Sequence, residues 1–103
     1  MTRYAFHPEA LTDLDHIHDF IAADKPDAAD RLVADILARI RGIVEFPQQG
    51  GERPDLTSRP LRFVRVGEYL IAYAPNEKPL WVVAVLQGRL SPRVLAAILR
   101  GRE

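Results

Sequence analysis

The chain has 103 residues, 48% of them hydrophobic, with no cysteine and a formal net charge of zero. These values fit a single domain spanning residues 1–103 and exclude a disordered chain, a disulfide framework and a thiolate metal site. The longest apolar run, Leu80 to Leu86, is far short of the ~20 residues that cross a bilayer, and Met1-Thr2-Arg3 opens no apolar signal region, so a soluble, cytoplasmic protein is expected.

The zero net charge hides a division. Residues 1–55 carry 11 acidic and 6 basic side chains, and residues 56–103 carry 3 acidic and 8 basic. Twelve of the fourteen cations are arginine, whose planar fork suits carboxylate and phosphate. Two readings stay open: a helical face that happens to be acidic, or a C-terminal half that receives an anion.

In chain order, Arg3-Tyr4-Ala5-Phe6 predicts a short strand, and His7-Pro8 starts a helix because proline at the first helical position has its φ preset. Leu11, Leu14, Ile17, His18 and Ile21 form its apolar stripe, while Asp13, Asp15, His16 and Asp19 mostly point elsewhere. Asp24-Lys25-Pro26-Asp27 ends this helix and starts a second, from about Pro26 to Glu45, which Phe46-Pro47 stops. So short a connection implies an antiparallel α-hairpin.

A polar loop from Gln48 to Ser58 follows, and then the period changes to two. Strands Leu61–Val66 and Tyr69–Ala74 flank Gly67-Glu68, a pair suited to a type II′ turn, which sets Val66 opposite Tyr69 and Arg62 opposite Tyr73. Leu80 to Gln87 is apolar on both faces, as in a strand buried on both sides, and Ser91-Pro92 caps a last short helix. The expected fold is α+β, in the order β-α-α-β-β-β: an α-hairpin packed on a small, mainly antiparallel sheet, with a short C-terminal helix. Because the α-hairpin covers one sheet face and the last helix is short, part of the second face is expected to await a partner.

Few residues suggest catalysis. His16 and His18 lie on nearly opposite sides of the first helix and cannot share a metal; His7 reads as a helix-start residue and His18 as a packed side chain with one hydrogen bond. No nucleophile triad, phosphate-cradling glycine loop or metal spacing is present, so no catalytic residue, metal or cofactor is expected. Arg93, Arg100 and Arg102 read as surface charges of the last helix, the latter two complementing its dipole.

The sequence resembles the ParE/RelE superfamily of toxins from bacterial type II toxin–antitoxin systems. The matching pieces are Asp13-Leu14-Asp15-His16-Ile17 and Phe20-Ile21-Ala22 on the first helix, Pro26 with Ala28-Ala29 on the second, and Phe46-Pro47 before the loop. Leu61-Arg62, Gly67-x-Tyr69-x-Ile71-x-Tyr73 and Val85-Leu86-Gln87-Gly88-Arg89 follow in the sheet. The resemblance implies a growth-inhibiting, plasmid-stabilising toxin held inactive by a ParD-like or similar antitoxin, whose disordered segment folds as it wraps the toxin.

Two activities occur in that superfamily: RelE-like members cut ribosome-bound mRNA, and ParE-like members inhibit DNA gyrase without catalytic residues. Of the side chains the RNA-cleaving members use, an arginine near the end of the last strand matches Arg89. A second arginine falls on Leu70 and a tail tyrosine on Leu95, so two of the three positions can neither transfer a proton nor hold a phosphate. The resemblance is therefore closer to ParE, a non-enzymatic gyrase inhibitor, with a RelE-like endoribonuclease as the alternative; Gln87 departs from the histidine ParE-like members often carry. Arg62, Arg65, Tyr69, Tyr73, Arg89 and Arg93 are the residues expected to engage antitoxin or target. No membrane contact is expected, and no nucleic-acid contact except through the target complex.

Overall fold

The computed structural model describes residues 3–102; Met1 and Thr2, on which the absence of a signal region was read, lie outside them. Strand β1 (Tyr4–Phe6) leads into helices α1 (Pro8–Ala22) and α2 (Pro26–Glu45), then strands β2 (Arg62–Val66), β3 (Tyr69–Ala74) and β4 (Leu80–Gln87), and helix α3 (Pro92–Arg100). The sheet order is β1-β4-β3-β2, with β1 parallel to β4 and the other pairs antiparallel. No described helix is long and apolar enough to cross a membrane.

Local chemistry accounts for the boundaries. His7 is the N-cap of α1, its Nδ1 accepting from the Glu9 amide at 3.0 Å, with Pro8 following. Lys25 precedes Pro26 at the start of α2 with no side-chain cap. Gly67 has φ +57° and no described non-glycine residue has positive φ, so Glu68 sits in ordinary space and the turn is of the II′ kind. The hairpin register pairs Val66 with Tyr69, Val64 with Ile71 and Arg62 with Tyr73, as expected. Ser91 caps α3, its Oγ accepting from the Val94 amide at 3.3 Å. Ser91→Ala is expected to cost about 1 kcal/mol, measurable as a lowered urea midpoint with an unchanged m-value.

The core has two layers, one on each sheet face. Ala10, Leu14, Ile17, Ile36, Ile40 and Ile43 of the α-hairpin pack on Val64, Ile71, Tyr73, Leu80, Val82 and Val85. On the other face Leu95 and Leu99 of α3, with Leu56 and Leu61 of the loop before β2, pack on Phe63, Leu70, Ala72, Val83, Ala84 and Leu86. A register shift between Ala72 and Tyr73 explains how β4 serves both layers: Val83 and Ala84 fall successively on the α3 side.

This second layer corrects the expectation of an unfinished sheet face. Nine residues of α3 suffice because the loop before β2 joins the cover. That loop is less irregular than its composition suggests: Pro47–Gln49 forms a 3-10 turn, and Gly51 exchanges both backbone hydrogen bonds with Phe63, at 2.8 and 2.9 Å. Apolar surface remains exposed on the helices instead, at Leu11, Phe20 and Val94, and at Phe46, which caps the end of α2.

His18 joins the two helices of the hairpin. Its Nε2 lies 2.8 Å from Asp30 Oδ1 on α2, and its Nδ1 lies 3.6 Å from Asp19. The hydrogen bond to Asp30 holds the imidazole above its ordinary value, partly offset by desolvation. A raised value means the clamp contributes fully below the unfolded value of about 6.5 and is lost as pH rises through the folded value. The melting temperature is expected to fall across that window in the native chain, and Asp30→Asn is expected to flatten the fall.

Candidate partner-binding site

The six residues singled out from the sequence separate into two groups. Tyr73 is held inside the protein, and Arg62, half-buried, is engaged by a neighbouring loop. Tyr73 is 0% exposed; its hydroxyl donates to the Pro47 carbonyl at 2.7 Å and accepts from the Gly50 amide at 2.9 Å. Burial pushes the phenol above its ordinary value, so it stays protonated and keeps donating. Arg62 donates to Gln48 Oε1 at 2.8 Å and to the Gly50 carbonyl at 2.7 Å, with Glu52 at 3.4 Å. Together they fasten the 47–52 segment to the sheet.

The other four reach the surface. Arg65 is exposed at the end of β2, on the face opposite Arg62, with its guanidinium lying over Gly88: a Cβ there would stand 2.7 Å from Nη1. Arg89, just past β4, and Arg93, in the first turn of α3, are exposed. Among the described residues, none of these three arginines has a carboxylate within 4.0 Å.

Tyr69 and Arg89 line a groove of ≈ 330 Å³ between the helix-hairpin end and the strand-hairpin turn, with Phe20, Ile21, Leu32, Glu68 and Gln87. Phe20 is 77% exposed at its rim. Besides the Glu68 carboxylate, the groove offers two aromatic rings, two aliphatic side chains and the Arg89 guanidinium, which has no described carboxylate within 4.0 Å and can receive an acidic group beside an apolar one. Among the described residues there is no cluster of three or more His, Asp or Glu side chains that could hold a metal. Leu70 and Leu95 are buried in the α3-side layer, 5% and 2% exposed, so neither reaches the surface.

One structural site was not visible in the sequence. Asp13, expected to face away from the core, and Arg102, expected at the surface, form a nearly buried pair with side chains 16% and 10% exposed. Arg102 Nη2 donates to Asp13 Oδ1 at 2.7 Å and Nη1 donates to Oδ2. Asp13 Oδ2 also accepts from the Val85 amide at 3.0 Å, and Arg102 Nη1 donates to the Val83 carbonyl at 3.3 Å. The hydrogen bond to Asp13 raises the Arg102 guanidinium further above its ordinary value. Arg59 completes the anchorage of α3, donating to the Leu99 and Arg102 carbonyls at 3.2 and 2.8 Å; a cation on a helix C-terminus is favourable. Only the partner's position 89 residues away in sequence gives Arg102 this role, and spacing carries no trace of it.

The comparisons bear on this arrangement. No curated protein matches the sequence. A chain in the solved structure of the chromosomal ParDE toxin–antitoxin system from P. aeruginosa superposes with a TM-score of 0.67 at 20% identity, covering 82% of this chain and 92% of that one, which shows the common fold. Residues 4–91, from β1 to the cap of α3, match the family described as ParE toxin of type II toxin-antitoxin system, parDE. The chain therefore belongs to the ParE toxin family of type II toxin–antitoxin systems.

Proposed function

We propose that this ParE-family toxin arrests growth by binding a DNA topoisomerase of the gyrase class, and that a co-encoded ParD-like antitoxin neutralises it. For the first half, the observation that favours binding over RNA cleavage is the burial of Leu70 and Leu95 within the core, and gyrase as the target follows from the ParE-like resemblance. These two leucines stand where the RNA-cleaving branch of the superfamily carries an arginine and a tyrosine. Cleavage through a 2′-hydroxyl needs a base, an acid and cations at the phosphate; of the matched positions only Arg89 bears a polar group. The second half is supported by the groove with Phe20, Tyr69 and Arg89, which fits an antitoxin segment presenting an apolar anchor beside a carboxylate. Arg65 and Arg93 supply further cation around the same end of the sheet, and Arg62 and Tyr73 act by positioning the 47–52 segment rather than by contact.

Primer extension on ribosome-bound mRNA after induction tests the choice between binding and cutting. Growth arrest with no new 5′ ends at defined codons is the expected result. Codon-specific cleavage that disappears in Arg89→Ala would replace this reading with the endoribonuclease one.

A further inference from the structure

The turn after β4 and helix α3 carry charge of one sign only. Residues 88–102 hold Arg89, Arg93, Arg100 and Arg102 and no acidic residue, whereas the α-hairpin, residues 8–45, holds nine acidic and four basic side chains. The two layers on the sheet therefore oppose each other electrically. Arg102 is taken up by Asp13, but Arg89, Arg93 and Arg100 are exposed. Arg65 joins them from β2: strand alternation puts it on the face of Phe63, the α3 side, and its guanidinium reaches over Gly88 beside Arg89. Among the described residues, none of Arg65, Arg89, Arg93 and Arg100 has a carboxylate within 4.0 Å. Of the carboxylates in the adjoining grooves, Asp55 is held bidentate by Arg53 at 2.9 and 2.8 Å, and Glu68 lies in the groove with Tyr69.

The placement of Arg93 is electrostatically unfavourable in the isolated chain. It stands in the first turn of α3, where the helix dipole disfavours a cation and no acidic residue offsets it. Arg100 lies two turns further on, ~10 Å along the axis and on the same side of the helix, away from Leu95 and Leu99. Ala97 is exposed between them, so no bulky side chain holds a ligand off this surface.

We propose that Arg65, Arg89, Arg93 and Arg100 form a cationic face that binds the phosphate backbone of duplex DNA directly, without reading its sequence. Two features favour DNA over an acidic protein. A protein interface is organised around aromatic or aliphatic anchors, and among the described residues Val94 is the only large apolar side chain exposed on α3, whereas Leu11 and Phe20 lie on α1 in the other layer. Phosphate contacts need no such anchor, and the planar guanidinium fork matches phosphate oxygens. The acidic α-hairpin repels a polyanion from the opposite layer and so turns the α3 side toward it. A toxin of this kind grips DNA as well as the enzyme proposed as its target, and the two contacts are separable.

Fluorescence anisotropy of a labelled duplex of about 20 base pairs, with no topoisomerase present, tests this. Each phosphate neutralised contributes about −0.9 to the slope of log K against log salt, so four arginines give about −3.6 and an affinity that falls about a hundredfold for a fourfold rise in salt. R65Q/R93Q is expected to bind more weakly and to fall only about tenfold over the same rise. R31Q/R41Q removes the same charge from exposed positions on α2 and is expected to keep the native slope. No binding by the native chain at low salt, or an equal loss of slope in both variants, would overturn the proposal. Tighter binding to polyglutamate of equal charge would overturn it too, and would assign the face to an acidic protein. The duplex assay contains no gyrase, so its failure leaves the supercoiling test of the proposed activity standing, and the reverse holds.

Discussion

Arg102→Ala is expected to destabilise the protein by about 3–5 kcal/mol, the cost of leaving one member of a buried ion pair without its partner. The geometry places this case at the upper part of that range. Asp13 would keep its hydrogen bond from the Val85 amide but lose both guanidinium contacts in a site from which water is mostly excluded. The Val83 carbonyl would lose its donor as well. The native pair is not thereby shown to be worth that much, because much of the cost is the orphaned charge. D13L/R102M removes both charges at once: its loss is expected to come from the Val83 carbonyl and Val85 amide left without partners, about 1–3 kcal/mol each, and not from a stranded charge. Urea unfolding of the three proteins reads the difference. An Arg102→Ala midpoint equal to the native one would mean that the pair is solvated in solution.

The second large effect is expected at Tyr73. Tyr73→Phe keeps the ring in the α-hairpin layer but removes the oxygen that accepts from the Gly50 amide and donates to the Pro47 carbonyl. A buried polar group left without a partner costs about 1–3 kcal/mol, and here two lose theirs. Gly50→Ala strikes the same node from the other side. A Cβ at that position would stand 2.5 Å from the Tyr73 hydroxyl and 3.0 Å from the Phe63 carbonyl, closer than packed atoms allow. The two substitutions are therefore expected to be non-additive: Gly50→Ala costs less in the Tyr73→Phe background, where the first atom it meets is absent. A double-mutant cycle by urea unfolding measures this. Additive losses would show that the hydroxyl is not what confines Gly50.

The element order was legible in the sequence because local signals agreed with the global fold. Prolines at Pro8, Pro26 and Pro92 mark all three helix starts, and Gly67-Glu68 sets the hairpin register. The β4 run, apolar on both faces, was legible as a doubly covered strand, although the register shift that assigns Val83 and Ala84 to one face was not. What escaped were the contacts set by tertiary proximity alone. An aspartate within α1 and an arginine just past the end of α3 look solvated by periodicity, yet both helices pack on β4 and bring Asp13 and Arg102 together. The cover of the second face escaped for a related reason: periodicity assigns Leu56 to a polar loop, whereas the Gly51–Phe63 bridge draws that loop across the sheet. Of the nominated site residues, alternation along β2 told Arg62 from Arg65. It did not show that Arg62 and Tyr73 face inward to a loop while Tyr69 and Arg89 border a groove.

The proposed activity is binding and not cutting, and gyrase-catalysed supercoiling of relaxed plasmid with the purified chain tests it most directly. Inhibition at micromolar protein, relieved by the proposed ParD-like antitoxin and weakened by Arg89→Ala, is the predicted result. Undiminished supercoiling at that concentration, from a folded chain that still arrests growth, would contradict it.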